Sequence, residues 1–208
     1  MKNSWQILTT LLAVALVILS IKINVLSDSS LSQTDKQQSA MDVIMSRSSV
    51  RSYTSKKVET EKIDKLLKAA MAAPTAGNKQ PWDFIVVNDR ATLDEFANII
   101  PGAHMAKKAQ TAIVVCGSPT KSLLPDYWIQ DCSAASENIL LAAHALGLGA
   151  VWCGAYPNNE QNRVEKMSKL LSLPDDVYAL SVIVVGYGQG EPAVKDKWDP
   201  SKVHYNKF

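Results

Sequence analysis

The sequence predicts an α+β fold, on three observations. Amphipathic helical stretches and short apolar runs of strand character are interleaved from about residue 41 onward, without the strict strand–helix alternation of a doubly wound parallel sheet. One helical stretch, residues 127–146, is rich in Ala and apolar on most sides, as suits a helix at the centre of a core or in an interface. One strand, residues 179–185 (Ala-Leu-Ser-Val-Ile-Val-Val), is continuously apolar and is therefore expected to be buried on both faces.

The other elements follow from pattern and punctuation. Residues 41–46 form a short helix with Met41, Ile44 and Met45 on one face. Thr60 is a candidate N-cap for a helix over 61–73, where Ile63, Leu66, Leu67, Ala70 and Met71 recur at helical spacing and Pro74 stops the run. A strand is expected at 84–87 and a helix at 92–100, ended by Pro101-Gly102. A second strand is expected at 111–116 and a third at 150–153, after Gly147 and Gly149 end the long helix. Residues 159–171 form another amphipathic helix. The tail from 186 to 208 is irregular yet carries Trp198, His204, Tyr205 and Phe208, aromatics that call for a surface to pack on, such as a second subunit.

Bulk properties narrow the function. The chain has 208 residues, 47% of them hydrophobic, which suits one domain with a real core plus an extension. Lys and Arg total 22 and Asp and Glu total 20, for a net charge of +2. That balance gives no basis for nucleic-acid binding, and the pairs Lys56-Lys57 and Lys107-Lys108 read as solvated surface. Cys116, Cys132 and Cys153 lie far apart in apolar stretches and read as buried free thiols, not a disulfide framework. None of the three histidines, His104, His144 and His204, has a metal-ligand neighbour at helical spacing, so no metal site is expected.

Residues 1–26 have the layout of a signal peptide or N-terminal membrane anchor: Lys2, then an apolar run over 7–21, with Lys22 and Asn24 after it. Residues 27–40, rich in Ser, Gln and Asp, read as a flexible linker, and the globular domain as 41–208. The expectation is an exported or membrane-anchored protein in the periplasm or cell envelope, with a membrane tether through 7–26; a cytoplasmic location is the alternative.

Three segments carry chemistry. Residues 47–51 (Arg-Ser-Ser-Val-Arg) place two guanidinium groups and two hydroxyls where phosphate oxygens could be held; the plainer reading is a polar helix end with surface arginines. Residues 73–82 (Ala-Pro-Thr-Ala-Gly-Asn-Lys-Gln-Pro-Trp) place the amides of Asn78 and Gln80 in a loop bracketed by prolines, able to match a heteroaromatic edge of alternating donors and acceptors; the plainer reading is a helix-to-strand loop. Residues 147–154 (Gly-Leu-Gly-Ala-Val-Trp-Cys-Gly) allow a backbone to approach a flat ligand closely, and Gly147 or Gly149 also serves as a helix C-cap. Residues 186–190 (Gly-Tyr-Gly-Gln-Gly) lack the spacing and the following helix of a dinucleotide loop.

In this order, the three segments resemble the FMN-dependent nitroreductase family over 41–208. The resemblance implies a mixed central β-sheet flanked by helices, an intertwined homodimer, and FMN at the dimer interface. It implies that Arg47, Ser48, Ser49 and Arg51 hold the phosphate, ribityl chain and pyrimidine end. Pro74, Thr75, Ala76 and Asn78 would then line the flavin from the partner chain, and Trp152, Cys153 and Gly154 would lie beside the ring. Lys202 and His204 fall where basic residues meet the phosphate, with His204 standing where an Arg is often seen. The flavin carries the chemistry, so no protein group need be catalytic. The implied activity is ping-pong transfer from NADH or NADPH through FMN to nitroaromatic, quinone or similar small acceptors, with Arg51 favouring the reduced flavin. The short stretch between Pro101 and Tyr127 favours an open site over a lidded one. Reductive dehalogenation, dehydrogenation, or a non-catalytic FMN-binding module are the alternatives. A domain outside the cytosol would be cut off from reduced nicotinamide, which sets the N-terminal reading against the functional one.

Overall fold

Residues 111–117 and 178–186 are apolar at consecutive positions, and both become inner strands of one sheet with each face covered by helices. The computed structural model describes residue 22 and residues 39–157, 162–190 and 193–208. The strands are β1 (Trp82–Val87), β2 (Thr111–Gly117), β3 (Gly149–Gly154) and β4 (Tyr178–Gly186), in the order β1-β2-β4-β3. All three ladders are antiparallel. The parallel component of the expected mixed sheet is confined, among the described residues, to one bridge between Ser49 and Ala150. Ala40–Phe208 forms one compact unit.

The strand period of two sorts the core into two layers. Val114, Val182 and Val151 point to one side, where they meet Leu93 and Phe96 of helix α3 (Arg90–Ile99) and Met167 of α5 (Arg163–Leu171). Ile113, Ile183 and Ala150 point to the other, against Leu66 of α2 (Thr60–Met71) and Cys132, Ala135 and Ile139 of α4 (Tyr127–Ala145). A register shift between Val115 and Cys116 interrupts the β2–β4 ladder. The remaining helix, α1 (Ala40–Ser46), buries only Val43 and leaves Met41, Ile44 and Met45 exposed.

Element boundaries moved where caps decide them. Thr60 is the first residue of α2 and not its cap; Glu59 holds that position without a side-chain bond. α3 starts earlier than the apolar pattern suggests because the Asp89 carboxylate accepts from the Thr92 N–H at 2.8 Å. α4 ends as expected: Gly147 adopts φ +70°, and the Leu148 N–H returns to the Ala143 carbonyl at 2.8 Å. α5 is described from Arg163, and the expected turn before it falls partly outside the described residues.

The expected signal peptide or anchor at 1–26, and most of the linker at 27–40, also lie outside the described residues. Among the described residues no helix is long and apolar enough to cross a membrane.

Candidate functional site

Helix α1 ends with the Arg47 N–H donating to the Val43 carbonyl at 3.0 Å, and the chain then runs extended along the sheet edge. Ser49 forms a parallel bridge with Ala150, and the Val50 N–H donates to the Ala150 carbonyl at 3.0 Å. Close approach is possible because residue 149 is Gly: a Cβ there would lie 2.6 Å from Val50 Cγ1. Beyond it, the buried Tyr53 places its hydroxyl 2.7 Å from the Val50 carbonyl and 3.0 Å from that of Val184. The Thr54 N–H donates to Tyr187 and the Gln189 N–H to Ser52, both at 2.9 Å. Burial, with the charge of a neighbouring Cys153 thiolate as a lesser cause, pushes the Tyr53 phenol well above its ordinary pKa, so it stays a neutral donor. Residues 47–54 are thus laid against β3 and the exit of β4 by backbone bonds, which leaves the side chains of Arg47, Ser48, Ser49 and Arg51 turned to a site.

Those side chains line a cleft of about 830 Å³. Arg47, Ser48, Ser49 and Arg51 line it together with Ile44 and Met45 of α1 and residues 193–198. The lining residues include four cations (Arg47, Arg51, Lys195, Lys197) and one carboxylate (Asp196), so the cleft favours an anion. Arg47 is oriented from below by α4. Its Nε lies 3.3 Å from Glu137 Oε1 and its side chain is 18% exposed, which leaves the terminal guanidinium nitrogens as its remaining donors. About two turns further along α4, Ser46 Oγ lies 2.7 Å from His144 Nε2.

The second segment is anchored elsewhere on the same helix. Residues 76–78 make a tight turn in which the Ala76 N–H donates to Asp131 Oδ1 at 3.0 Å. Gln80 donates from its backbone to Thr75 Oγ1 at 3.1 Å and from its side chain to Asn78 Oδ1 at 2.9 Å. Asp131 precedes Glu137 by six residues, about 9 Å along the helix axis. Pro74, Thr75, Ala76 and Asn78 are not among the residues lining the cleft.

The third segment is β3 itself, and the strand alternation divides it. Cys153 turns into the core, with Sγ 3.9 Å from Met105 Sδ, while Trp152 faces the opposite layer. Burial raises the Cys153 thiol to about 11 against the opposing pull of Arg51. The Gly154 carbonyl accepts from the Arg163 guanidinium at 3.1 Å. A ligand beside this strand would therefore meet backbone, not the cysteine sulfur. Lys202 and His204 lie in the exposed tail: Lys202 pairs with Asp199 at 3.3 Å and the His204 ring stacks near Phe208 at 4.1 Å. Neither lines the cleft.

The structure therefore brings Arg47, Ser48, Ser49 and Arg51 together with β3. It leaves residues 74–78, Lys202 and His204 outside the cleft formed by one chain. Sequence reasoning missed Lys195 and Lys197 as lining cations, although they flank Asp196 immediately before an aromatic residue it had singled out, Trp198. It also missed Glu137 and Asp131, which no local pattern marks: both sit in α4, and only the packed fold shows what each carboxylate faces.

A family model described as the nitroreductase family matches residues 44–120 and 102–187. A protein of Methanothermobacter thermautotrophicus, provisionally named NADH dehydrogenase/NAD(P)H nitroreductase, is 43% identical over 188 residues, covering 90% of this chain and 95% of its own. A crystal structure from Parabacteroides distasonis, with the same provisional name, superposes with TM-score 0.78 at 46% identity, covering 81% of this chain and 98% of its own. An FMN-dependent nitroreductase from Clostridium difficile R20291 gives TM-score 0.75 at 32% identity, covering 81% and 99%. The exported or membrane-anchored location expected from residues 1–26 is corrected by the comparisons: relatives covering 90% and 76% of this chain are named as an NAD(P)H nitroreductase and an NAD(P)H-linked FMN reductase, and an export signal is not indicated.

Proposed function

Because the chain belongs to the nitroreductase family, we propose that it is an FMN-dependent oxidoreductase that draws electrons from NADH or NADPH and delivers them to small nitroaromatic, quinone or similar acceptors. One observation carries this reading: Arg47, Ser48, Ser49 and Arg51 converge on a cationic cleft whose wall is pinned to β3. Its volume, about 830 Å³, falls in the roughly 300–1,000 Å³ range of small-molecule sites. The donor set suits a phosphate: guanidinium forks and hydroxyls are matched to its oxygens, and the cleft has an excess of positive charge.

When bound, FMN supplies the hydride chemistry. The chain's residues do the rest. Arg47, oriented by Glu137, offers its outer nitrogens to the phosphate, and Ser48 and Ser49 offer hydroxyls along the ribityl chain. Arg51 supplies a cation for the electron-rich pyrimidine end. Lys195 and Lys197 add charge to the same cleft, in the place first expected of Lys202 and His204. A bound ring would be held beside β3, where Trp152, Cys153 and Gly154 would offer backbone. Residues 74–78 belong to the site of a second copy of the chain; their placement outside the single-chain cleft supports that reading. Residues 41–208 form the flavin-binding domain of a homodimer, and no side chain is required as acid or base.

The visible spectrum of the purified full chain tests this reading. Bound yellow flavin should bleach on addition of NADH or NADPH and recover its colour with a nitroaromatic or quinone. Bound flavin that neither nicotinamide bleaches would leave a non-catalytic binding module, and a protein that takes up no FMN would end the proposal.

A further inference from the structure

Asp131 is a carboxylate in the second turn of α4, on its core-facing stripe, flanked by the buried Trp128, Cys132 and Ala135. It is 5% exposed. Oδ1 accepts the Ala76 N–H at 3.0 Å, and Oδ2 is buried without a hydrogen-bond partner among the described residues. A carboxylate held this way is costly to bury, since half of its acceptor capacity is unused. The contact it makes is specific: among the hydrogen bonds that residues 74–80 make with described residues, the one from Ala76 is the bond that reaches another helix or strand.

The loop it holds needs holding. Gly77, Asn78 and Gln80 all have left-handed backbones, with φ of +59°, +52° and +49°. Two of these residues carry a Cβ, and such conformations persist only when their surroundings enforce them. The loop's internal bonds, from Gln80 to Thr75 and Asn78 and from the Asn78 and Lys79 N–H groups back to Thr75 and Ala76, shape the turn but do not tie it to the rest of the fold. A charge-assisted bond from a buried carboxylate to the first N–H of the turn does.

We propose that Asp131 is the positioning residue that shapes residues 74–78 for the flavin, setting the direction in which Asn78 presents its amide. It acts through the Ala76 N–H and touches neither cofactor nor substrate. The inference rests on the reading above that this loop contacts FMN.

The test uses the full chain, with FMN binding followed by flavin fluorescence and amide hydrogen exchange measured on flavin-free protein. D131A should raise the Kd for FMN about tenfold, the loss of one charge-assisted bond. Exchange should accelerate over residues 75–80 while β2 and β4 keep their protection. D131N retains a carbonyl acceptor for the Ala76 N–H and should stay within about threefold of the parent. An unchanged Kd in D131A, an equal loss in D131N, or exchange rising evenly over the domain would each overturn the inference. Should D131A fail to fold, A76P deletes the donor and leaves the carboxylate; Thr75 already has the extended backbone that a following Pro requires (φ −134°, ψ 152°). A76P must then show the same rise, and an unchanged Kd overturns the inference. A parent protein that takes up no FMN overturns the functional reading and this inference with it. A parent that binds FMN beside an indifferent D131A overturns the inference alone.

Discussion

Val50 lies so close to Gly149 that a Cβ on residue 149 would sit 2.6 Å from Val50 Cγ1, well inside van der Waals contact. The segment that carries both arginines is thereby seated on β3 through a position that tolerates no side chain. Gly149→Ala should push residues 47–51 off the strand, costing about 1–3 kcal/mol of stability as an overpacked contact and weakening flavin binding as well. Urea unfolding and an FMN titration check both. A variant with parental stability and affinity would mean that the segment adjusts freely.

Arg47 reaches the cleft with its Nε paired to Glu137 at 3.3 Å. Arg47→Ala should weaken FMN binding by roughly 1.5–3 kcal/mol, the range for a hydrogen bond to a charged group. Glu137→Gln removes only the orienting partner of a half-exposed pair, and its effect should stay below about 1 kcal/mol. Fluorescence titrations rank the two, and an Arg47→Ala protein that binds flavin as tightly as the parent would remove this residue from the site.

The thiols should be inert in the folded protein. Burial raises Cys116 to about 12 and Cys153 to about 11 from an ordinary value of 9.0, and raises Cys132 as well. Since the folded chain withholds thiol protons that the unfolded chain releases, their contribution to stability is intact below about pH 9 and is lost as pH rises toward 12. Denaturation midpoints should fall across that window, less steeply in Cys153→Ser. Rapid stoichiometric labelling of native thiols at pH 8 would contradict the burial argument.

Exposed Met41, Ile44 and Met45 on α1 and exposed Trp198, Tyr205 and Phe208 in the tail leave apolar surface on elements that line or flank the cleft. Light scattering should give a mass twice the 22.7 kDa of one chain. A monomer that binds FMN with full affinity would show that the loop at 74–78 is not needed from a second copy.

Much of this was legible in the residues. The consecutive apolar run of 179–185 implied an inner strand, and β4 is buried along both faces. The Ala-rich stretch at 127–146 implied a central helix, and α4 packs on the sheet with Cys132, Ala135 and Ile139. The Arg-Ser-Ser-Val-Arg box showed its chemistry through residue types alone, and the structure gathers its four polar side chains on one cleft. The N-terminal apolar run misled, because hydrophobicity and flanking charge are shared by many kinds of segment.

By itself, then, the sequence determined the alternation of elements, the two-faced burial of the central strand and the clustering of two arginines and two serines in one short box, since each depends on side chains a few residues apart. Only the tertiary structure decided that Glu137 pairs with Arg47, that Asp131 accepts the Ala76 N–H, and that Lys195 and Lys197 line one cleft with the arginines. Those groupings join residues between 55 and about 150 positions apart, and nothing in local pattern says which distant groups a packed core brings together.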